Sequence, residues 1–146
     1  MGFEAFHHVV LVVENLAEAE TFYCELFEMD VRFREGERDG DYGRVPDHPD
    51  WETAVADGVT PAMSFLGNGA LSLALAASDD PVEGGRVDHL AFQVNESFFD
   101  SLPDRARSLG CAVDERETTA FVTDRYGMEW ELKTSSPPPT CPFEEI

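Results

Sequence analysis

The amino-acid sequence contains the same order of one helix and four strands twice. An apolar, β-branched run begins each half, and an amphipathic helical pattern and three strand patterns follow it. Equivalent positions lie 81 or 82 residues apart: His8 and His89, Val13 and Val94, Glu28 and Gly110. This spacing predicts two βαβββ modules, at residues 6–77 and 86–134, within a single domain spanning residues 1–146.

Periodicity places the elements of each half. The first half predicts a strand, a helix and three strands at residues 6–13, 16–27, 30–34, 62–66 and 70–76. The second half repeats this order at residues 87–94, 98–109, 112–116, 119–123 and 128–133. Asn15 is the expected N-cap of the first helix, Val31 and Phe33 are expected to share one strand face, and residues 67–69 form a tight turn. The proline-containing tail, residues 135–146, is expected to add no strand.

Residues 36–60 interrupt the apolar pattern. They contain four glycines and two prolines, with one short helical pattern at residues 51–56. Connections of this length usually have a function. The segment is therefore predicted to be a long loop that covers the mouth of a cavity and moves when a ligand binds.

Charge limits the classes of partner. Ten Lys and Arg against 30 Asp and Glu give a net charge of −20, and the sequence pI is about 4.2. Nucleic acids and anionic membrane surfaces are therefore poor partners. The acidic composition with a single lysine resembles that of halophilic proteins, and the alternative is an acidic protein without salt adaptation.

Location and redox state follow from the remaining composition. The N-terminus carries no basic leader and no apolar run reaches about 18 residues, so we expect a cytoplasmic protein without a membrane span. The three cysteines are odd in number and show no C-x-x-C spacing. They are expected to be free thiols.

Three segments resemble a known family: HVVLVVENLAEAETFYCELF, VDHLAFQV and FVTDRYGMEWEL. Their order and spacing, within residues 6–134, resemble the vicinal oxygen chelate superfamily. That superfamily includes glyoxalase I, fosfomycin-resistance enzymes, extradiol dioxygenases and bleomycin-resistance proteins. The resemblance implies an α+β fold in which two βαβββ modules form a curved, half-barrel mixed sheet around a cavity, with the helices outside and a divalent metal inside.

The resemblance also implies three metal ligands. They are His8, which precedes the first apolar run, His89 in VDHLAF, and Glu131, four residues after Gly127. Two imidazoles and one carboxylate can hold one divalent ion (Fe, Mn, Zn, Ni or Co) and leave coordination positions open. Strand periodicity agrees independently, because the apolar neighbours of His89 and Glu131 occupy the opposite strand faces.

Further residues are candidates for the substrate pocket. Ser72, Gln93, Phe121 and Thr123 are expected to line it, and Arg44 is the candidate to meet an anionic substrate. Ser72 is interpreted as standing where glyoxalase I has an additional Glu or Gln ligand. A hydroxyl is a weak ligand and no general base at neutral pH, so the resemblance does not extend to glyoxalase I chemistry. It assigns no catalytic acid or base.

Two functions fit this pattern. The first is a metal-dependent lyase, dioxygenase or transferase in which the ion chelates two neighbouring oxygens of a small molecule. The alternative is a metal-free protein of the bleomycin-resistance type that binds and sequesters a drug. The three candidate ligands favour the enzyme. The resemblance also implies a homodimer in which His8 of one chain completes a site with His89 and Glu131 of the other.

Overall fold

The computed structural model describes residues 6–45, 48–81 and 87–134. The chain divides into two compact units, residues 1–83 and 84–146, and each contains one mixed, open sheet with helical segments. The expected α+β class with two βαβββ modules is confirmed. The tail at residues 135–146 lies outside the described residues.

The first unit contains a five-stranded sheet. Its elements are β1 (Val9–Val13), α1 (Leu16–Phe27), β2 (Asp30–Arg38), β3 (Asp41–Arg44), α2 (Trp51–Ala56), β4 (Thr60–Asn68) and β5 (Leu71–Ala77). The strand order is β1-β5-β4-β2-β3, with β1 parallel to β5 and the other pairs antiparallel. Asn15 caps α1 as predicted, since its side chain accepts a hydrogen bond from the Glu18 amide at 3.1 Å.

The prediction of a long loop at residues 36–60 is wrong for most of its length. Strand β2 continues to Arg38 and turns into β3 through Asp39 and Gly40, whose φ angles are 53° and 85°. Two consecutive positive φ angles define the hairpin turn that Asp-Gly favours, and this local signal was missed among the charged residues. Helix α2 follows and buries Trp51 and Ala54 in the core. A role as a lid stays a prediction.

The second unit contains the simpler module. Its elements are β6 (Leu90–Gln93), α3 (Glu96–Ser108), β7 (Ala112–Glu115), β8 (Thr119–Thr123) and β9 (Glu129–Lys133). The strand order is β6-β9-β8-β7, with β6 parallel to β9. Both modules therefore pair their first strand with their last, and the first module differs by the inserted β3 and α2.

In the second sheet, the buried residues of β8 and β9 alternate with Phe121, Thr123 and Glu131, which lie on the other face. The core of the second unit includes Leu102, Ala106, Val122, Trp130 and Leu132. None of the helices in the described part of the chain combines the length and hydropathy needed to cross a bilayer. Cys24 and Cys111 are free thiols, as expected, and Cys141 lies outside the described residues.

Candidate metal centre

Two of the three predicted ligands are brought together in the second unit. Trp130 and Leu132 are buried in the core, so Glu131 between them points to the opposite face of β9. His89 precedes β6, which runs parallel to β9. The His89 Nε2 atom lies 3.3 Å from Glu131 Oε1. The side-chain directions inferred from strand periodicity therefore agree with the structure.

The other ring nitrogen of His89 is also engaged. His89 Nδ1 lies 2.7 Å from Asp88 Oδ2, and this hydrogen bond raises the pKa of His89 because it stabilises the protonated ring. The nearby charges of Asp88 and Glu131 act in the same direction. A histidine that donates from one nitrogen to a carboxylate presents the other as a metal ligand in a fixed orientation. Sequence reasoning missed this contact, although Asp88 is the immediate neighbour of His89.

Glu131 is anchored through one oxygen. Its Oε2 atom accepts hydrogen bonds from Thr119 Oγ1 at 3.0 Å and from Lys133 Nζ at 3.3 Å. Burial acts to raise the pKa of Glu131, but these two hydrogen bonds and the lysine charge outweigh it, and the pKa is lowered. The carboxylate is therefore ionised at neutral pH and presents Oε1 towards His89.

His8 belongs to the first unit. It lies just before β1, its Nδ1 atom is 2.7 Å from His7 Nδ1, and its ring meets the edge of Phe65 at 6.1 Å between centroids. Among residues 6–45, 48–81 and 87–134, no group of three or more His, Cys, Asp or Glu side chains is arranged to hold a metal ion. The pair His89 and Glu131 is thus observed within one unit, and the triad with His8 stays a prediction.

The predicted pocket residues separate into two groups. Phe121 lies opposite Glu131 in the β8–β9 ladder, with its ring 6.1 Å from that of His89, and Thr123 lies opposite Glu129. Both line a concavity of about 370 Å³ in the second unit. Gln93 is exposed on β6, opposite Lys133, and is not among the residues that line this concavity.

The first unit holds the other two candidates. Ser72 lies half-buried on β5, opposite Gly67. Arg44 places its guanidinium 4.2 Å from the centre of the Phe33 ring. It lines a second concavity, of about 440 Å³, together with Arg32, a residue that the sequence did not single out.

The register of the two parallel strand pairs corrects one interpretation. Ala91 pairs with Glu131 in the second unit, and Val10, 81 residues before Ala91, pairs with Ala74 in the first. The position equivalent to Glu131 is therefore Ala74 and not Ser72. Alanine has no side-chain donor, so the first module offers no carboxylate ligand at this position.

The donor set is suited to a divalent transition metal. An imidazole nitrogen and a carboxylate oxygen converge on one face of the sheet, and each is fixed by a hydrogen bond from its other end. The family model for the Glyoxalase/Bleomycin resistance protein/Dioxygenase superfamily matches residues 5–140, and the chain belongs to that superfamily.

Solved structures with the same fold include fosfomycin resistance proteins. A mutant FosX from Listeria monocytogenes, complexed with Mn(II) and 1S,2S-dihydroxypropylphosphonic acid, is 15% identical with a TM-score of 0.64, covering 92% of this chain and 94% of that chain. FosX from Mesorhizobium loti is 17% identical with a TM-score of 0.59, covering 92% and 94%. A possible glyoxalase from Bacillus cereus is 18% identical with a TM-score of 0.56, covering 88% and 97%. A comparison with functionally curated proteins found no match.

Proposed function

We propose that the protein is a metal-dependent enzyme of the vicinal oxygen chelate type that acts on a small molecule. The observation that carries the proposal is the contact between His89 Nε2 and Glu131 Oε1, with Asp88 and Thr119 fixing the far ends of both side chains. His8 is the proposed third ligand. A bound divalent ion (Fe, Mn, Zn, Ni or Co) would supply Lewis-acid stabilisation of negative charge on two neighbouring substrate oxygens.

The residues around this pair have separate tasks in the proposal. His89 and Glu131 hold the ion, while Asp88 and Thr119 keep their orientation. The ring of Phe121 lies next to His89 and also lines the concavity of about 370 Å³. Thr123 lines the same concavity, whereas His89 and Glu131 do not. The FosX complex with Mn(II) and a dihydroxylated phosphonic acid supports a small, oxygen-rich substrate and makes Mn(II) the first ion to test.

Metal analysis tests the proposal. The protein is purified at high salt without added metal, and bound ions are measured by mass spectrometry before and after titration with Mn(II). We expect one ion per wild-type chain and a sharp loss in Glu131→Ala. Glu131→Gln is expected to retain a weakened ion, because the amide oxygen still coordinates.

Glu129→Ala is the matched control, since Glu129 lies two residues away on the same strand face. It is expected to keep its metal. Undiminished metal in Glu131→Ala would remove that carboxylate from the site. No ion in the wild-type protein, before or after titration, would contradict the proposal and favour the metal-free binding protein.

The proposed site is shared between the chains of a homodimer. In this arrangement His8 of one chain completes a site with His89 and Glu131 of its partner. Co-folding of His8→Ala chains with Glu131→Ala chains tests it. A mixed dimer would then concentrate both defects in one site and restore the other, so metal binding should recover. Lack of recovery in a preparation shown to contain mixed dimers would contradict the shared site and leave the three ligands unaffected.

A further inference from the structure

Three arginines line one concavity of the first unit. The concavity of about 440 Å³ is lined by Val31, Arg32, Phe33, Arg34, Arg44, Val45, His48 and Pro49. Three of these eight residues are arginines, in a chain with 10 basic side chains against 30 acidic ones. Such a concentration of positive charge in a strongly acidic protein is a candidate for anion recognition.

Arg32 and Arg44 differ in their partners from four other arginines of the chain. Arg34 forms a buried ion pair with Glu20, and Arg38, Arg107 and Arg116 also pair with carboxylates. Within the described residues, neither Arg32 nor Arg44 forms an ion pair. Glu35 lies opposite Arg44 in the β2–β3 ladder and accepts a hydrogen bond from Tyr42. The positive charges of Arg32 and Arg44 are therefore available to a ligand.

Aromatic stacking orients Arg44. Its guanidinium lies over the Phe33 ring at 4.2 Å, and Phe33 stacks on Phe65 with 4.3 Å between ring centroids. Stacking covers one face of the guanidinium and leaves the N–H donors at its edge, which match the two oxygens of a carboxylate or phosphonate. Phe65 also contacts the proposed metal ligand His8, so Arg44 and His8 belong to one continuous row on this sheet face.

A glycine makes room for Arg32. A Cβ atom at position 67 would overlap the Arg32 guanidinium. A register shift in β2 between Val31 and Phe33 accompanies this placement. Gly67 thus permits the guanidinium to lie close to the backbone of β4.

We propose that Arg32 and Arg44 form a subsite for the oxyanion group, a carboxylate or a phosphonate, of a small-molecule ligand. The inference rests on the proposed function in taking this ligand to be the substrate. Arg34 contributes less charge to it, because Glu20 already pairs with it, and the Nε2 atom of His48 is already in contact with Asp57. Arg32 and Arg44 are both exposed. An isolated oxyanion is therefore expected to bind weakly, with a Kd on the order of millimolar.

The test uses methylphosphonate and acetate as tetrahedral and planar oxyanion probes. Each is titrated into the full chain at constant ionic strength, after metal removal by dialysis, and the arginine Nε–H resonances are followed by NMR. We expect saturable binding of at least one probe and about tenfold weaker binding in Arg44→Ala and in Arg32→Ala. Gly67→Ala should also weaken binding, because its Cβ atom would displace the Arg32 guanidinium. Only the flexible end of the Arg32 side chain has to move, so the fold should be retained.

Arg38→Ala is the matched control, because Arg38 lies on the same strand, is exposed and is paired with Asp57. Its affinity should stay within about twofold of wild type. Equal affinity in wild type, Arg32→Ala and Arg44→Ala would overturn the subsite, and so would an equal loss in Arg38→Ala. Anion binding by a protein that takes up no metal would contradict only the proposed function, and metal binding without arginine-dependent anion binding would contradict only the subsite.

Discussion

The buried ion pair beneath the first sheet predicts a strong energetic coupling. Arg34 donates to both Glu20 oxygens, from Nη2 at 2.6 Å and from Nε at 2.8 Å, and both side chains are about nine-tenths buried. Ser64 donates to Glu20 Oε2 at 2.6 Å and accepts from Trp51 Nε1 at 2.8 Å. The network therefore joins α1, β2, β4 and α2, and it holds the Arg34 side of the proposed oxyanion subsite.

Removal of one partner leaves the other charge buried. Glu20→Gln and Arg34→Met should each lower the free energy of unfolding by about 3–5 kcal/mol. The double variant removes both charges and should cost only about 1–2 kcal/mol, so the coupling energy should reach at least about 4 kcal/mol. Loss of the charge, and not loss of packing alone, is then the source of the single-variant effect.

Equilibrium urea denaturation at fixed salt measures these free energies. Arg38→Ala on the same strand is the control, because its ion pair with Asp57 is more than half exposed on both sides and should contribute at most about 1 kcal/mol. If the double variant is destabilised by the sum of the two single effects, Glu20 and Arg34 do not act as a coupled pair and the reasoning is refuted.

Three further predictions concern caps, thiols and salt. Asn95 accepts from the Phe98 amide at 2.9 Å, so Asn95→Ala should cost about 1 kcal/mol in urea denaturation whereas Asn95→Asp should cost little. Burial raises the pKa of Cys24 and of Cys111 to about 11, so at pH 8 only about one in a thousand of these thiols is ionised. Alkylation of both should be slow in the folded protein and fast in urea, and rapid labelling of Cys24 or Cys111 in the folded chain, located by peptide mapping, would contradict this. Because salt screens repulsion among the 30 carboxylates, the Tm should rise by at least about 5 °C between 0.2 and 3 M KCl; an unchanged Tm would favour an acidic protein without salt adaptation.

Local signals determined which elements could be predicted. Helix α1 has the predicted bounds because an N-cap precedes a clear apolar stripe, and β8 has them because its residues alternate between faces. The hairpin between β2 and β3 was missed since β3 has only four residues and the part of β2 that pairs with it is mostly charged. Val31 and Phe33 were expected on one face, but the register shift between them pairs Val31 with Leu66 and Phe33 with Phe65, on opposite faces. A β-bulge of this kind leaves no periodic trace in the sequence.

The sequence predicted those parts of the site that follow from one residue's position in a motif or on a strand. His89 and Glu131 followed from motif position and strand alternation, and their contact agrees with both. The hydrogen bond from Thr119 to Glu131 depends on which strands pair and in what register, and sequence periodicity does not specify this. The same limit applies to Arg32, whose position next to Gly67 depends on the β2 register shift.

The two modules have equivalent histidines but different carboxylate positions. His8 and His89 precede the first strands of their modules, whereas Glu131 in the second module corresponds to Ala74 in the first. Ala74 is fully buried, so a carboxylate there would have to be desolvated. In the proposed centre the first module can therefore contribute one ligand and the second module two. Each site in the proposed dimer therefore needs both kinds of module. An ion with three protein ligands and open positions for substrate oxygens fits the chain better than an ion with four protein ligands.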